Sequence, residues 1–276
     1  MDGRGLCALE SVYVQQPVAG LVPGEYSIGL EKSRNGRSFE YLRSAVILKV
    51  AKGLRDLGLF SWRVFLGTWP AFVPAVVLSL KVWGITLLLS TVVATLLAVV
   101  RIYRPPILYW IVSIFIQLFR STPLLVQLYF FYFGLPYVGV MISEMGVALL
   151  AVTLINAAFS AEIIRAGIES IHRTQFDAGH SLGLSFYNIM RHIILPQAFR
   201  KIIPPLTGQF TLLIKGTALL SVIALREITE TARSLSVITF RPLESFLPAI
   251  ILYLAATLPL FYVSKQLERS WARHGR

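Results

Sequence analysis

The sequence contains little charge and almost no cysteine. Aspartate, glutamate, lysine and arginine make up 14% of the 276 residues, whereas 55% are hydrophobic and the mean hydropathy is +0.68. Such a chain has more apolar surface than one soluble core can hide, so we expect an integral membrane protein. The single cysteine, Cys7, excludes an internal disulfide framework, and no Cys/His cluster indicates a metal site.

The sequence also lacks a phosphate-binding loop. No G-x-x-x-x-G-K-[ST] segment occurs, which excludes the usual ATP-binding site from this chain. No set of nucleophile, base and metal ligands converges in the pattern, so we predict no enzyme activity for the chain itself. His172, His180 and His192 are spaced by eight and twelve residues. No two of them lie on adjacent helical turns, and we interpret them as solvated loop residues.

Five apolar stretches are long enough to cross a bilayer, which takes about 20 helical residues. They cover approximately residues 72–100, 107–133, 146–167, 206–225 and 246–263. Pro105 and Pro106 suit the start of the second helix, because the amide protons that they lack would be unpaired there. The net charge of +12 comes from basic residues that flank the apolar runs, which favours contact with anionic lipid over nucleic acid.

Lysine and arginine are unevenly distributed between the predicted loops. Short cytoplasmic loops carry the excess of positive charge in membrane proteins. Residues 135–146 contain no lysine or arginine, whereas the loops after the first and third spans and the C-terminal tail are basic. Arg101 and Arg104 follow the first span, and Lys265 and Arg269 lie in the last region. We therefore predict an inner-membrane protein with a cytoplasmic C-terminus and an extracytoplasmic N-terminus.

Residues 1–65 form an extension whose structure the sequence leaves open. The segment has no apolar run long enough to span a membrane and no pattern of a cleavable signal peptide. Leu42, Val46, Val50 and Leu54 recur near one face of an amphipathic helix that would lie on the membrane, and a disordered extension or a mis-assigned translation start is the alternative. We assign residues 66–265 to a transmembrane domain and residues 266–276 to a basic cytoplasmic tail.

The stretch FDAGHSLGLSFYNIMRHIILPQA, residues 176–198, is a polar interruption between apolar spans. Asp177 is expected near the start of a short helix that ends at Gly183. Ser185 suits the cap of a second short helix, and Pro196 is expected to turn the chain into the fourth span. The pattern predicts a compact pair of helices between two spans.

The spacing within this stretch resembles the E-A-A-x3-G-x9-I-x-L-P loop of bacterial ABC importer permeases. Aspartate replaces the family's glutamate, and glycine replaces its second alanine. The matching residues are Asp177, Ala178, Gly179, Gly183, Ile193, Leu195 and Pro196. Other segments resemble the polar amino-acid branch of these permeases, namely FRSTPLLVQLYFFYFGLP, AAFSAEIIRAGIESI, ILPQAFRKIIPPL and KGTALLSVI. The likeness covers about residues 60–265.

The resemblance implies a five-helix type I ABC importer permease fold, with a cytoplasmic coupling helix in the loop at about residues 170–198. In that family the coupling helix docks on a separate ATPase dimer, which binds ATP and Mg, and closure of the ATPase moves the transmembrane helices. The resemblance also implies a second permease, which is the same chain or a paralogue, and an extracytoplasmic amino-acid-binding protein. The expected function is import of a polar amino acid or derivative. An ion-coupled secondary transporter is the alternative, although such proteins usually show internal repeats.

Charged residues inside apolar spans are costly and mark pathways or ion pairs. Arg120 suits the carboxylate of an amino acid and Glu162 its ammonium or a cationic side chain, whereas Lys215 is expected to pair with Glu162. Structural ion pairs or snorkelling are the alternatives. The family commonly reads K-D-T-S where this chain has K-G-T-A at residues 215–218, so a local partner for the lysine is missing. The neutral pathway candidates are Thr122, Gln127, Asn156, Ser160 and Thr217.

Overall fold

A computed structural model describes residues 60–272, with side chains as far as residue 269. Cys7, the predicted surface helix around residues 42–54 and the end of the basic tail lie outside the described residues. The helices are α1 (Trp62–Tyr103), α2 (Pro106–Ser121), α3 (Leu124–Tyr129), α4 (Leu135–Tyr137), α5 (Glu144–Glu169), α6 (Arg173–Ser181), α7 (Phe186–Ile189), α8 (Leu195–Gly216), α9 (Ile228–Thr239) and α10 (Pro242–Ala272). The described residues contain no strand, which confirms the all-α prediction.

Four continuous helical segments in the described part of the chain are long and apolar enough to cross a membrane. They are Trp62–Tyr103, Glu144–Glu169, Phe186–Ile223 and Pro242–Arg269. The first of these helices, α1, contains 42 residues. Its length of about 63 Å exceeds the thickness of the hydrocarbon layer of a bilayer. These segments contain four of the five predicted spans, except that the fourth ends at Ile223, two residues earlier than predicted.

The second predicted span is bent. The α2 helix and the helical segment Leu124–Tyr137, which includes the π-helical turn Phe130–Gly134, meet at 107°. Thr122 at the bend is extended, with φ −108° and ψ 137°, because Pro123 disfavours a helical conformation in the residue before it. Residues 107–133 are therefore not one straight helix but two helical pieces joined at a sharp bend.

The prediction that the chain turns at Pro196 is wrong, because the helix continues through this residue. A π-helical turn, Met190–Ile194, joins α7 to α8, and a 3-10 helix, Thr217–Ile223, extends α8 further. The amide of Leu195 donates to the carbonyl of Met190, five residues earlier. Proline has no amide proton and crowds the preceding turn, and the wider π turn accommodates it without a break.

Small residues allow α1 and α5 to pack closely. Lipid provides no hydrophobic driving force between helices, so close contact between small side chains holds them together. Ala94 of α1 and Ala157 and Ala161 of α5 are almost fully buried in one cluster, and Ala98 of α1 is also almost fully buried. This contact forms the centre of the bundle on which the functional side chains are placed.

Glu227 fixes the start of α9 in the connection between the fourth and fifth spans. Its side chain is fully buried. One carboxylate oxygen accepts from the amide of Glu230 at 2.7 Å, and the other accepts from the hydroxyl of Tyr253 on α10 at 2.8 Å. Burial raises the pKa of the Glu227 carboxyl, because desolvation disfavours the charged form.

Candidate coupling segment and substrate pathway

The predicted coupling segment contains α6 and α7. The first of these helices, α6, is capped by hydrogen bonds at both ends. His172 is the N-cap residue of α6, and its imidazole Nδ1 accepts from the amide of Thr174. At the other end the amides of Gly183 and Leu184 donate to the carbonyls of His180 and Gly179. This is a Schellman motif, which requires a left-handed residue, and Gly183 has φ +68°. The predicted stop at Gly183 is confirmed.

Asp177 lies in the middle of α6, not near its start as predicted, because the helix begins four residues earlier at Arg173. The side chains of Asp177 and Ala178 are exposed. Asp177 also lines a groove of 600 Å³ whose other walls include Arg104 at the end of α1, Arg173 and His180. These exposed residues are accessible to another subunit.

Gly179 differs from its neighbours because it is buried against α7. A Cβ atom at this position would lie 2.7 Å from Cγ1 of Ile189, closer than real side-chain contacts. The absence of a side chain at Gly179 therefore permits the close approach of Ile189 of the same chain. Ser185 caps α7 as predicted, and its hydroxyl accepts from the amide of Asn188 at 3.4 Å.

The remaining motif residues lie at the junction of α7 and α8. Ile193 and Leu195 are half-buried against a cluster that includes Ile168 of α5 and Ile202 of α8. Pro196 is exposed in the first turn of α8. These contacts place Ile193 and Leu195 where they anchor the coupling segment to the ends of two spans.

The predicted pathway residues of the second span lie at its bend. The amide nitrogen of Gln127 donates to the hydroxyl of Thr122 at 2.7 Å and to the carbonyl of Phe119 at 3.0 Å. The side-chain amide of Gln127 therefore bonds groups at the bend that have lost their partners in the helix backbone. Arg120 is exposed, and its guanidinium lies 5.4 Å from the ring centroid of Phe159 on α5.

Asn156 is at the centre of a buried polar chain between three helices. Its amide nitrogen donates to the hydroxyl of Ser90 on α1 at 2.6 Å, and its amide oxygen accepts from Gln209 on α8 at 3.0 Å. Asn156, Phe159 and Gln209 line a cavity of 120 Å³ with otherwise mainly apolar walls. The sequence analysis missed Ser90 and Gln209, although polar residues within apolar spans commonly face the bundle interior.

Ser160 and Thr217 are both buried, but only one has a partner. The hydroxyl of Thr217 donates to the carbonyl of Ile214 at 2.7 Å, so Thr217 contributes to local helix structure. The hydroxyl of Ser160, one turn after Asn156 on α5, has no hydrogen-bond partner among the described residues. Buried polar atoms without a partner are rare in folded proteins.

Glu162 has arginine partners, not the predicted lysine. Its carboxylate bonds to Arg165 on the same helix and lies 3.8 Å from the guanidinium of Arg101 on α1. Arg165 also pairs with Glu169. Lys215 is exposed and forms no ion pair with another described residue. The predicted Lys215–Glu162 pair is wrong, and the geometry favours the structural alternative for Glu162.

Comparison with known proteins identifies relatives over about two thirds of the chain or more. Residues 87–273 match the family described as binding-protein-dependent transport system inner membrane component. A probable glutamine ABC transporter permease of Bacillus subtilis is 36% identical over 188 residues, which are 66% of this chain and 86% of the relative. An arginine transport system permease of the same bacterium is 32% identical over 203 residues, which are 72% and 92% of the two chains.

A solved structure shares the fold. The chain is similar to the crystal structure of an amino acid ABC transporter with histidines, with a TM-score of 0.73 and 28% identity over 76% of this chain and 99% of that chain. These relatives are permeases of ABC transporters, so the alternative of an ion-coupled secondary transporter is wrong. The ATPase of such a system is a separate subunit, which confirms that this chain is a transport subunit. The chain therefore belongs to the binding-protein-dependent transport system inner membrane component family, as a multi-pass permease of the amino-acid ABC importer type.

Proposed function

We propose that this permease imports a polar amino acid or amino-acid derivative along a path that passes Asn156 and Gln209. The observation that carries the proposal is the 120 Å³ cavity that Asn156 of α5 and Gln209 of α8 line among mainly apolar residues. Side-chain amides donate and accept hydrogen bonds, so they suit both the ammonium and the carboxylate of an amino acid. Ser160 does not line this cavity, but its buried hydroxyl lies one helical turn after Asn156 and has no partner within the described residues, so we include it in the proposed path.

The proposed substrates share the α-ammonium and α-carboxylate groups of an amino acid and differ in their side chains. One relative is a probable glutamine permease, another an arginine permease, and the similar structure is of a transporter with histidines. The common feature is the α-ammonium and α-carboxylate pair. We assign the carboxylate to Arg120, whose guanidinium lies against Phe159 at the cavity wall. A guanidinium binds a carboxylate through two parallel hydrogen bonds.

The proposed assembly contains three kinds of component, namely permeases, ATPase subunits and a binding protein. Two copies of this chain, or one copy and a paralogous permease, enclose the path, and a dimer of ATPase subunits binds ATP and Mg. Exposed Asp177 and Ala178 on α6 contact the ATPase. An extracytoplasmic binding protein delivers the amino acid on the opposite side. The basic loops support a cytoplasmic position for α6 and the C-terminus, which places the N-terminus outside.

Uptake by the complete transporter in proteoliposomes tests the path. Labelled glutamine, arginine and histidine are supplied with the binding protein, and initial rates are measured for Gln209→Met and Arg120→Ala. Both variants are expected to raise the apparent KM by about tenfold, since each removes a polar contact of about 1.5 kcal/mol. Gln117→Met is the control, because Gln117 is an exposed amide of α2 that bonds only Ser121 among the described residues. An unchanged KM in both variants contradicts the proposed path.

A further inference from the structure

Helix α1 is longer than a bilayer crossing requires, and its excess length lies at the end opposite the coupling segment. The helix contains 42 residues, whereas about 20 residues cross the hydrocarbon layer. Near its other end, Arg101 contacts Glu162 in the half of α5 that leads to the coupling segment. The crossing therefore does not account for residues 62–80, which we call the leading segment of α1.

Hydrogen bonds between helices mark the central plane of the bundle. Asn156 lies near the middle of α5, because it follows Glu144 by 12 residues and precedes Glu169 by 13. Its side chain bonds to Ser90 of α1 and to Gln209 of α8. These three polar residues therefore lie at about the same depth, near the middle of the membrane.

The start of α1 lies at the depth of the lipid headgroups. The hydroxyl of Ser264 on α10 donates to the carbonyl of Pro204, five residues before Gln209 on α8. Glu244 precedes Ser264 by 20 residues, which places it no more than about 22 Å from the central plane, away from the coupling segment. The amide of Ser61, the N-cap of α1, donates to the carboxylate of Glu244 at 2.7 Å. Hydrocarbon ends about 15 Å from the middle of a bilayer, so this depth is in the headgroup region.

The leading segment runs obliquely to the membrane normal. Ser61 and Ser90 are 29 residues apart, which is about 43 Å of helix for a difference in depth of about 22 Å. A helix perpendicular to the membrane would need only half that length. Pro70 and Pro74 lie within the leading segment, and each lacks the amide proton of a helical hydrogen bond, which favours bending.

One face of the leading segment is an apolar stripe that the other described residues leave open. Trp62, Leu66 and Val73 are 56%, 62% and 64% exposed. A different face, which includes Phe72 and Ala75, packs against α9 and α10. Protein surfaces in water rarely carry so long an apolar stripe. Its members recur every three or four residues, as on one side of a helix, and are Trp62, Leu66, Trp69, Val73, Val77 and Leu80.

Aromatic rings and cations accompany the stripe. The ring of Phe65 lies 5.6 Å from that of Trp62 and 5.9 Å from that of Trp69, between centroids. Tryptophan is enriched at membrane interfaces, where its apolar ring and its polar N–H group both find partners. Arg63 and Lys81 are exposed. They lie on one flank of the helix, because the 18 residues between them make about five turns. This combination is typical of a helix that lies on a membrane.

We propose that the leading segment binds the membrane surface opposite the coupling segment, with its apolar stripe between the headgroups and the ends of the acyl chains. The exposed residues Leu88, Val92 and Leu96 continue the apolar surface of α1 into the hydrocarbon layer. A second copy of the chain is the other candidate to cover the stripe, but such a contact gives no reason for tryptophan and cations at this depth. The proposal does not depend on the proposed transport path.

Spin labels on the stripe measure its depth in the complete transporter in lipid vesicles. All native cysteines are removed, which in this chain requires Cys7→Ser. Labels are then attached to Leu66→Cys, Val73→Cys or Val77→Cys, and collisions with oxygen and with a water-soluble nickel complex are compared. All three labels are expected within roughly 5–10 Å of the phosphate level. In a segment perpendicular to the membrane, the labels at residues 66 and 77 would differ in depth by about 16 Å.

Two control positions calibrate the depth scale. Val92→Cys is close in sequence to Ser90 and is expected to report the oxygen-rich centre of the bilayer, whereas Tyr137→Cys, at a side chain that is 92% exposed between two spans, is expected to report water. Preferential collision with nickel at all three stripe positions would overturn the proposal, because the segment would then stand in water. Low collision rates with both reagents would also overturn it, since a second permease would then cover the stripe.

Discussion

Gly179 and Ile189 pack so closely that the glycine has no room for a side chain. A Cβ atom on Gly179 would lie 2.7 Å from Cγ1 and 3.0 Å from Cδ1 of Ile189. This contact joins α6 to α7, and both residues are buried. The departure from the family's alanine at this position therefore has an intramolecular cause, and the contact fixes the orientation in which α6 presents Asp177.

We expect Gly179→Ala to destabilise the coupling segment, because the added methyl group displaces Ile189. Overpacking of a buried contact costs about 1–3 kcal/mol. The double variant Gly179→Ala/Ile189→Ala is expected to be less destabilised than the sum of the two single variants, because the smaller residue makes room for the methyl group. Thermal unfolding of the purified permease measures all three, with Ala178→Ser as an exposed control. Strictly additive effects would contradict the packing explanation.

Gly183 is required for its backbone conformation, not for space. Its φ is +68°, and no atom lies within 4 Å of the position of a Cβ. A β-branched residue in this conformation costs roughly 1–2 kcal/mol, whereas asparagine is tolerated. Gly183→Val is thus expected to reduce ATP-driven uptake while membrane insertion persists, and Gly183→Asn is expected to keep most of the activity. Uptake normalised to the amount of reconstituted permease measures this, and equal impairment of both variants would refute it.

Much of the fold could be predicted from the sequence because its causes are local. Hydropathy locates the spans, and the glycine stop and serine cap of the coupling segment follow from backbone preferences at single residues. The continuous helix through Pro196 could not be predicted, since a π turn outside the usual hydrogen-bond pattern accommodates the proline. The start of α6 was misplaced because a histidine, which is not a common N-cap residue, caps it.

The candidate site was harder to predict because its contacts join distant parts of the chain. The polarity of Asn156 marks it as a candidate, but its bonds to Ser90 and Gln209 span 66 and 53 residues. Glu162 had several possible basic partners in the sequence. Only the packing of α1 against α5 shows that Arg101 contacts it and that Lys215 does not.

Arg101 and Lys215 are expected to differ in their effect on stability, because Arg101 contacts Glu162 and Lys215 does not. Arg101→Gln leaves a partly buried carboxylate with one arginine fewer, and we expect a loss of about 1–2 kcal/mol in the free energy of unfolding. Lys215→Gln is expected to change stability little, because Lys215 is exposed and has no ionic partner among the described residues. Denaturation of both variants in the same detergent measures the difference. A larger loss for Lys215→Gln would restore the pair expected from the sequence.

The buried carboxyl of Glu227 predicts a pH dependence of a particular sign. Tyr253 of α10 and the Glu230–Arg233 pair of α9 are its titratable neighbours. Burial raises the pKa of Glu227 above its ordinary value of 4.5 in the folded protein. Protonated Glu227 therefore stabilises the folded state at pH values below its ordinary pKa. This contribution is lost as the pH rises through the pKa of Glu227 in the folded protein.

The variant Glu227→Gln keeps a neutral group that does not titrate, so the free energy of unfolding of the wild type is expected to fall relative to this variant as the pH rises. Glu230→Gln is the matched comparison with the opposite sign. The hydrogen bond from Arg233 lowers the pKa of Glu230, so its contribution is present above the ordinary value of 4.5 and is lost as the pH falls. Unfolding midpoints measured across this range for both variants check the prediction. The same sign for both would show that the burial of Glu227 does not control its protonation.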